Sequence, residues 1–159
     1  MKKIYAIISV LLIIVFLLLA RGRMQTEQAK IMRNLTRIES LLSKEEGEPA
    51  AAGIIRANRA AEYFTGDCRV RANGFNISGK AELAAAIHNA RSAVPGIRVR
   101  FHDVEITFKN SDTAEANLTA TASARGITGE TLAWEARIVL LRQDGEWNIS
   151  NAETIEVLR

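Results

Sequence analysis

The sequence predicts an α+β fold in which one strongly curved antiparallel sheet is covered by three helices. Residues 97–158 have the pattern of four consecutive antiparallel strands, and Asp144-Gly145 between the last two is typical of a two-residue hairpin loop. The residues before this run contain three helical patterns and one short strand. A curved sheet with one apolar face needs such helices to cover it.

The composition excludes several classes of function. A chain of 159 residues accommodates one domain and an appendage. The formal charge of +3 comes from scattered basic residues, so nucleic-acid binding is not indicated. Cys68 is the single cysteine, which excludes an internal disulfide and a cysteine-rich metal site. Because the sequence has no metal-ligand, phosphate-loop or nucleophile-elbow spacing, we expect neither a metal nor another cofactor.

The appendage, residues 1–23, is expected to be an N-terminal transmembrane anchor in front of a domain at residues 24–159. Ile4 to Ala20 is uninterrupted by charge, at the short end of what spans a bilayer. A cleaved signal peptide is the alternative, although the apolar run is long for one and Arg21 follows at once.

Two features of the sequence make opposite predictions about the side of the membrane on which the domain lies. Basic residues after the apolar run favour a cytoplasmic domain, because such residues tend to stay inside. The short Met-Lys-Lys start is instead typical of an export anchor. We expect a single-pass membrane protein with its domain on the exported side, periplasmic or extracellular.

Residues 24–44 are predicted to form the first helix. Its apolar stripe advances in alternating steps of four and three residues: Met24, Gln28, Ile31, Leu35, Ile38 and Leu42. This spacing suits a short juxtamembrane coiled coil. It also suits packing on the sheet of the same domain, which we favour from Ile31 onward because the stripe is short.

A second helix, a strand and a third helix follow. The second helix is predicted at residues 50–64, with an inner face of Ile54, Ala57, Ala61 and Phe64. Residues 68–77 are predicted to form a short strand. The third helix is predicted at residues 80–93, before Pro95-Gly96, with an inner face of Leu83, Ile87, Ala90 and Val94.

The strand at residues 97–109 changes its parity in the middle. Its apolar residues alternate on one face up to Phe101 and on the other face from Val104, with the change at His102-Asp103. One extra residue there, a β-bulge, returns all of them to the face opposite the alanine stripe of residues 113–124. Since bulges bend strands, the sheet is expected to be strongly curved.

The register of the last hairpin places two polar side chains on the apolar face. Counting back from the loop at residues 144–145 sets Asn151 opposite Ile138 and Glu153 opposite Ala136. A carboxylate at this position would be desolvated and its pKa raised, as in a general acid or a polar ligand anchor. A second bulge near Asn151 would instead turn Glu153 outward.

Three more polar residues are candidates for lining a ligand pocket. His102 and Asp103 occupy the predicted bulge, and bulges often re-aim side chains near functional sites. The simpler interpretation is an exposed bulge. Tyr63 could place its hydroxyl at a pocket mouth, although a partly buried core tyrosine explains it as well. His88 is interpreted as a boundary residue of the third helix.

Three local segments and the order of the elements match a known family. Residues 61–68, Ala-Glu-Tyr-Phe-Thr-Gly-Asp-Cys, are similar to its helix end before the first strand. Residues 79–83 are similar to its glycine-led third helix, and residues 144–149, Asp-Gly-Glu-Trp-Asn-Ile, to its last hairpin. The chain therefore resembles the nuclear-transport-factor-2-like (NTF2-like) superfamily, also called SnoaL-like, over residues 31–158. The resemblance implies a cone-shaped α+β domain with a pocket between sheet and helices.

The resemblance implies no single function, because the superfamily includes isomerases, dehydratases, cyclases and catalytically silent modules. The first-helix tyrosine of its ketosteroid isomerases has no counterpart here, and no catalytic residue is assigned. We expect a membrane-anchored, non-catalytic domain that binds a partner protein or a small ligand. The candidate ligand-binding residues are Glu153, Asn151, His102, Asp103 and Tyr63. A membrane-tethered isomerase, dehydratase or cyclase acting on a small apolar substrate is the alternative. A homodimer through the outer sheet face is also expected.

Overall fold

The computed structural model describes residues 22, 24–72, 74–125 and 131–158, which fall into two compact units, Met1–Arg33 and Asn34–Arg159. In the first unit, residues 24–33 are helical and Lys30 Nζ lies 3.0 Å from Glu27 Oε1. The predicted anchor at residues 4–20 lies outside the described residues. Among those that are described, no helix has the length and hydropathy needed to cross a bilayer.

The second unit is built from three helices and six strands. The helices are α1 (residues 24–42, of which 34–42 belong to this unit), α2 (Ala50–Ala61) and α3 (Lys80–Ser92). The strands are β1 (Phe64–Ala72), β2 (Phe75–Ser78), β3 (Gly96–Phe108), β4 (Thr113–Arg125), β5 (Thr131–Gln143) and β6 (Glu146–Leu158). They form one sheet in the order β2-β1-β6-β5-β4-β3. The predicted α+β class with a curved sheet and three helices is confirmed.

Two features of the sheet differ from the prediction. The strand expected at residues 68–77 is a hairpin of β1 and β2, because Gly74 adopts a φ of 86° that reverses the chain. The sheet is also mixed rather than antiparallel throughout, since β1 runs parallel to β6. The connection from β1 to β6 passes through α3 and the four intervening strands, which gives the chain the length that a parallel pairing needs.

The bulge predicted in β3 is confirmed. The register with β4 shifts between His102 and Glu105, and Asp103 has a φ of 52°. Phe101 lies opposite Ala120 before the bulge, and Phe108 lies opposite Ala114 after it. The large side chains of β3 therefore all meet the alanine stripe of β4 on the core face of the sheet.

The predicted register of the β5–β6 hairpin is correct at its loop and wrong beyond it. Asp144 and Gly145 have φ values of 51° and 83°, as a two-residue type I′ loop requires, and Leu140 pairs with Ile149. The register then shifts at Ser150, whose Oγ donates to the carbonyl oxygen of Val139 at 3.2 Å. This extra residue turns every following side chain to the opposite face until a second shift near Ile155.

The inner faces of α2 and α3 also differ in part from the prediction. Helix α2 ends at Ala61, so Phe64 is buried as the first residue of β1 rather than on the helix. Ile54 was expected inside but is 50% exposed. On α3, Leu83 is buried as expected, whereas Ala90 is exposed and the neighbouring Arg91 is buried instead.

The core of the second unit lies between the helices and one face of the sheet. Its centre includes Trp147, which is 2% exposed and contacts Phe108 edge to face with ring centroids 5.8 Å apart. The backbone of edge strand β3 is covered by the end of α1 and the residue after it. Glu39 Oε1 accepts from Phe101 N–H, and Ser43 Oγ accepts from Val99 N–H at 3.0 Å. This covering removes a free edge that could pair with another chain.

Candidate functional site

The two polar residues predicted to enter the core face lie on the outer face of the sheet. Because of the bulge at Ser150, Asn151 pairs with Val139 and Glu153 pairs with Arg137. Arg137 Nη1 donates to Glu153 Oε1 at 3.1 Å. The predicted inward placement of both residues is therefore wrong. Ala152, an apolar residue, lies opposite Ile138 on the core face, where Asn151 was expected.

The other three candidates are spread over separate parts of the second unit. His102 Nε2 lies 3.3 Å from Thr121 Oγ1 on the outer sheet face, and Asp103 is exposed in the bulge. Tyr63 is half-buried and lines a groove between α1 and α2, together with Arg37 and other residues. The structure therefore does not gather the predicted residues into one pocket.

A cleft between α2 and α3 has a volume of about 590 Å³. This α2/α3 cleft is lined mainly by alanine and isoleucine, and four polar side chains join them: Asn58, Glu62, Lys80 and His88. Small ligands typically occupy pockets of roughly 300–1,000 Å³ that are chiefly apolar and contain a few polar groups. The cleft has these properties.

His88 is the polar residue of the cleft that has a buried ring nitrogen. Its Nδ1 is buried and has no hydrogen-bond partner in the described part of the chain. A methyl group added to Gly53 of α2 would lie 3.8 Å from this nitrogen, which is ordinary van der Waals contact, so the imidazole packs beside the helix at this residue. A buried ring nitrogen without a partner is costly. His88 is therefore set to gain from any polar group that reaches it.

A buried ionic cluster joins the ends of all three helices. Arg91 of α3, with a side chain 3% exposed, pairs with Glu48 and donates to the carbonyl oxygen of Leu41 at 2.7 Å. Arg56 of α2 lies 3.5 Å from the other oxygen of Glu48. Lys44 Nζ donates to the carbonyl oxygen of Arg91 at 2.9 Å. Cations at helix C-termini satisfy free carbonyl groups, so this cluster fixes the helices in place.

The chemistry available elsewhere in the described residues is limited. Burial raises the pKa of the Cys68 thiol, which stays protonated and is a poor nucleophile or metal ligand in that form. No group of three or more histidine, cysteine, aspartate or glutamate side chains among the residues described is arranged to hold a metal ion.

The family is decided by the sequence match to a known domain. The family model described as a SnoaL-like domain matches residues 52–153, from within α2 to β6. The chain belongs to the SnoaL-like domain family. Its six-stranded curved sheet and three helices are the NTF2-like fold of that family. No curated protein matches the sequence.

Solved structures share this fold at low sequence identity. An NTF2-like protein with a cystatin-like fold from Novosphingobium aromaticivorans has a TM-score of 0.69 and 23% identity, with 86% of each chain covered. A candidate scytalone dehydratase from the same organism has a TM-score of 0.68 and 16% identity over 85% of this SnoaL-like chain and 86% of that chain. A Mycobacterium tuberculosis protein of unknown function has a TM-score of 0.73 and 18% identity, covering 87% and 75%. These likenesses concern the fold alone.

Most residues of the α2/α3 cleft had no signal in the sequence of this SnoaL-like domain. Asn58, Glu62 and Lys80 occupy ordinary polar positions of amphipathic helices, and only His88 was noticed, as a boundary residue. Ile54 gave no signal either, because it was expected on the inner face of its helix and only the folded structure has it 50% exposed.

Proposed function

We propose that this SnoaL-like chain is a non-catalytic binding domain that holds a small, mainly apolar ligand in the α2/α3 cleft. The observation that carries the proposal is the lining of the cleft, which combines alanines and Ile54 with a few polar side chains, among them His88 with an unpartnered Nδ1. A ligand with an apolar body and one polar group would match this lining. One protein of the same fold is described as a candidate scytalone dehydratase.

We propose that the domain is not catalytic because of where the polar residues that were candidates for a site lie. Glu153 and His102 are on the outer face of the sheet, each within hydrogen-bonding distance of a neighbouring side chain. On the core face, Phe101 lies opposite Ala120, which itself lies opposite Trp134, so large aromatic residues flank this position.

The membrane tether, the exported location and self-association belong to the same proposal. The uncharged run from Ile4 to Ala20 supports a single-pass anchor, which carbonate extraction of the full chain would test. The outer sheet face supports a homodimer, because Glu115, Arg137 and Glu153 form an alternating chain of charges on it. Light scattering at about 100 μM would detect a dimer of micromolar affinity, and a monomer mass would contradict it.

Ligand binding can be tested with tetralone, a bicyclic ketone that has an apolar body and one polar group. The full chain in lipid nanodiscs would be mixed with tetralone, and saturation transfer measured by NMR. We expect transfer to wild type and its loss in Ala85→Trp, because an indole at this exposed lining position fills the cleft. Ala90→Trp is the matched control, since Ala90 is exposed on the same helix and does not line the cleft. Equal transfer in the two variants would contradict the proposal.

His88 provides the basis for a second candidate function. A histidine beside an apolar cleft could remove the proton next to a carbonyl group, the first step of isomerisation and of dehydration. Tetralone also tests this function, because proton removal exchanges its α-hydrogens for deuterium in heavy water. We expect exchange no faster than in buffer. Exchange that is accelerated by wild type and lost in His88→Gln would replace the binding function with an enzymatic one.

A further inference from the structure

A second, smaller concavity lies between α1 and α2, with a volume of about 280 Å³. This α1/α2 groove is lined by Arg37, Ser40, Leu41, Arg59, Glu62 and Tyr63. Apart from Leu41, every lining side chain has a polar or charged end, whereas the α2/α3 cleft is mainly apolar. The two concavities therefore suit ligands of different chemistry.

The groove contains two arginines whose guanidinium groups are not bound by another side chain. Arg37 and Arg59 form no ion pair and no side-chain hydrogen bond with any residue in the described parts of the chain. The neighbouring Arg56 is different, because its guanidinium donates to the carbonyl oxygen of Ser40 at 3.1 Å and pairs with Glu48. Arg56 thus ties α1 to α2 beside the groove, which leaves the other two guanidinium groups available to a ligand.

The remaining groups define the charge and the hydrogen bonds that a ligand would meet. Ser40 and Tyr63 bring two hydroxyl donors, and the carboxylate of Glu62 offsets one of the two arginine charges. The planar guanidinium group of arginine donates two parallel hydrogen bonds to two oxygens of a phosphate or a carboxylate group. A carboxylate has two oxygens and one charge, whereas a phosphate monoester has three acceptor oxygens and a charge of about −1.5 to −2. The phosphate monoester uses more of these donors.

We propose that the α1/α2 groove is a binding site for a phosphate monoester, held by Arg37 and Arg59 with the hydroxyls of Ser40 and Tyr63. The ester could be a free metabolite or the headgroup of a lipid such as phosphatidic acid, since both carry the same terminal group. The proposal rests on the groove alone. It therefore stands or falls separately from ligand binding in the α2/α3 cleft.

The test is calorimetric titration of the full chain, in a neutral detergent, with glycerol phosphate and with dihexanoyl phosphatidic acid. Removing one arginine should weaken binding by about tenfold or more, as expected for loss of a charge-assisted contact. We therefore expect Arg37→Ala and Arg59→Ala to lose affinity. Glu62→Gln should bind more tightly, because it removes the repelling charge. A merely structural role of these exposed residues would not produce changes of opposite sign.

Arg98→Ala is the matched control, because Arg98 is an exposed arginine of β3 that does not line the groove. The Arg98→Ala variant should bind both probes with the affinity of wild type. Binding of both probes with similar affinity identifies the phosphate group alone as the ligand, and binding of the lipid probe only identifies a lipid headgroup. The proposal is overturned if neither probe binds, or if Arg98→Ala weakens binding as much as Arg37→Ala.

Discussion

Two arginine–glutamate pairs in this SnoaL-like domain have the same chemistry and opposite surroundings. Arg91 is 3% exposed at the end of α3 and pairs with Glu48, which is 11% exposed. Arg137 is 45% exposed on the outer face of β5 and pairs with Glu153, which is 30% exposed. The buried pair is joined by carbonyl groups from the end of α1, whereas the exposed pair is surrounded by water and other charges.

The difference shows why an ion pair cannot be valued from its partners alone. Water screens the exposed pair and competes for its hydrogen bonds, so its contribution to stability is small. The buried pair loses its water on folding, so each member depends on the other for compensation. Arg91 thus holds helices together, while Arg137 only adds to the polarity of a surface. Substitutions in the two pairs, and at a glycine beside the buried pair, test this contrast.

The largest effect is expected for Arg91→Met. Removing one partner of a buried pair leaves the other charge uncompensated, which typically costs about 3–5 kcal/mol. We expect a loss near the lower end, because Arg56 still lies 3.5 Å from Glu48. The measurement is urea unfolding of the full chain followed by tryptophan fluorescence, with Arg98→Met as the exposed control. A change below about 1 kcal/mol would mean that the cluster is hydrated in solution.

An intermediate effect of opposite sign is expected for Gly53→Ala, beside the buried pair. The new methyl group would lie 3.8 Å from Glu48 Oε1 and from His88 Nδ1, which is ordinary van der Waals contact. Alanine is favoured over glycine within a helix, so stability should rise by about 0.5–1 kcal/mol.

The matched control for this change is Gly47→Ala. Gly47 has open space around it but a φ of 82°, where alanine is strained, so this variant should lose stability. Thermal melts of both variants measure these changes. Destabilisation by Gly53→Ala would show that α2 packs more tightly against Glu48 and His88 than the structure has it.

The smallest effect is expected at the exposed pair. Glu153→Gln should change the free energy of unfolding by less than about 0.5 kcal/mol, as surface substitutions usually do. Arg137→Ala should cost about 0.2–1 kcal/mol, and this cost should shrink in high salt. Urea unfolding at low and high salt measures both. A clear stabilisation by Glu153→Gln would indicate a carboxylate inside the core, and therefore a register without the bulge at Ser150.

The sequence by itself determined the elements and the local geometry of this protein. Asp144-Gly145 specified its loop because only a few residues tolerate positive φ at both positions. The parity change at His102-Asp103 specified a bulge because six apolar side chains could reach one face in no other way. The alternating alanines of β4 specified the core face. These features depend on residues close together in the chain, so pattern reasoning reaches them.

The tertiary structure alone decided where the polar residues lie. A single extra residue at Ser150 reversed the faces of Asn151 and Glu153, and no parity change in the sequence marked it. Burial of Arg91 depends on carbonyl groups and a carboxylate some fifty positions earlier. The α2/α3 cleft and the α1/α2 groove likewise exist only where two helices meet. The physical reason is that burial, pairing and concavity are properties of contacts between distant segments, and a local pattern specifies the segments but not their contacts.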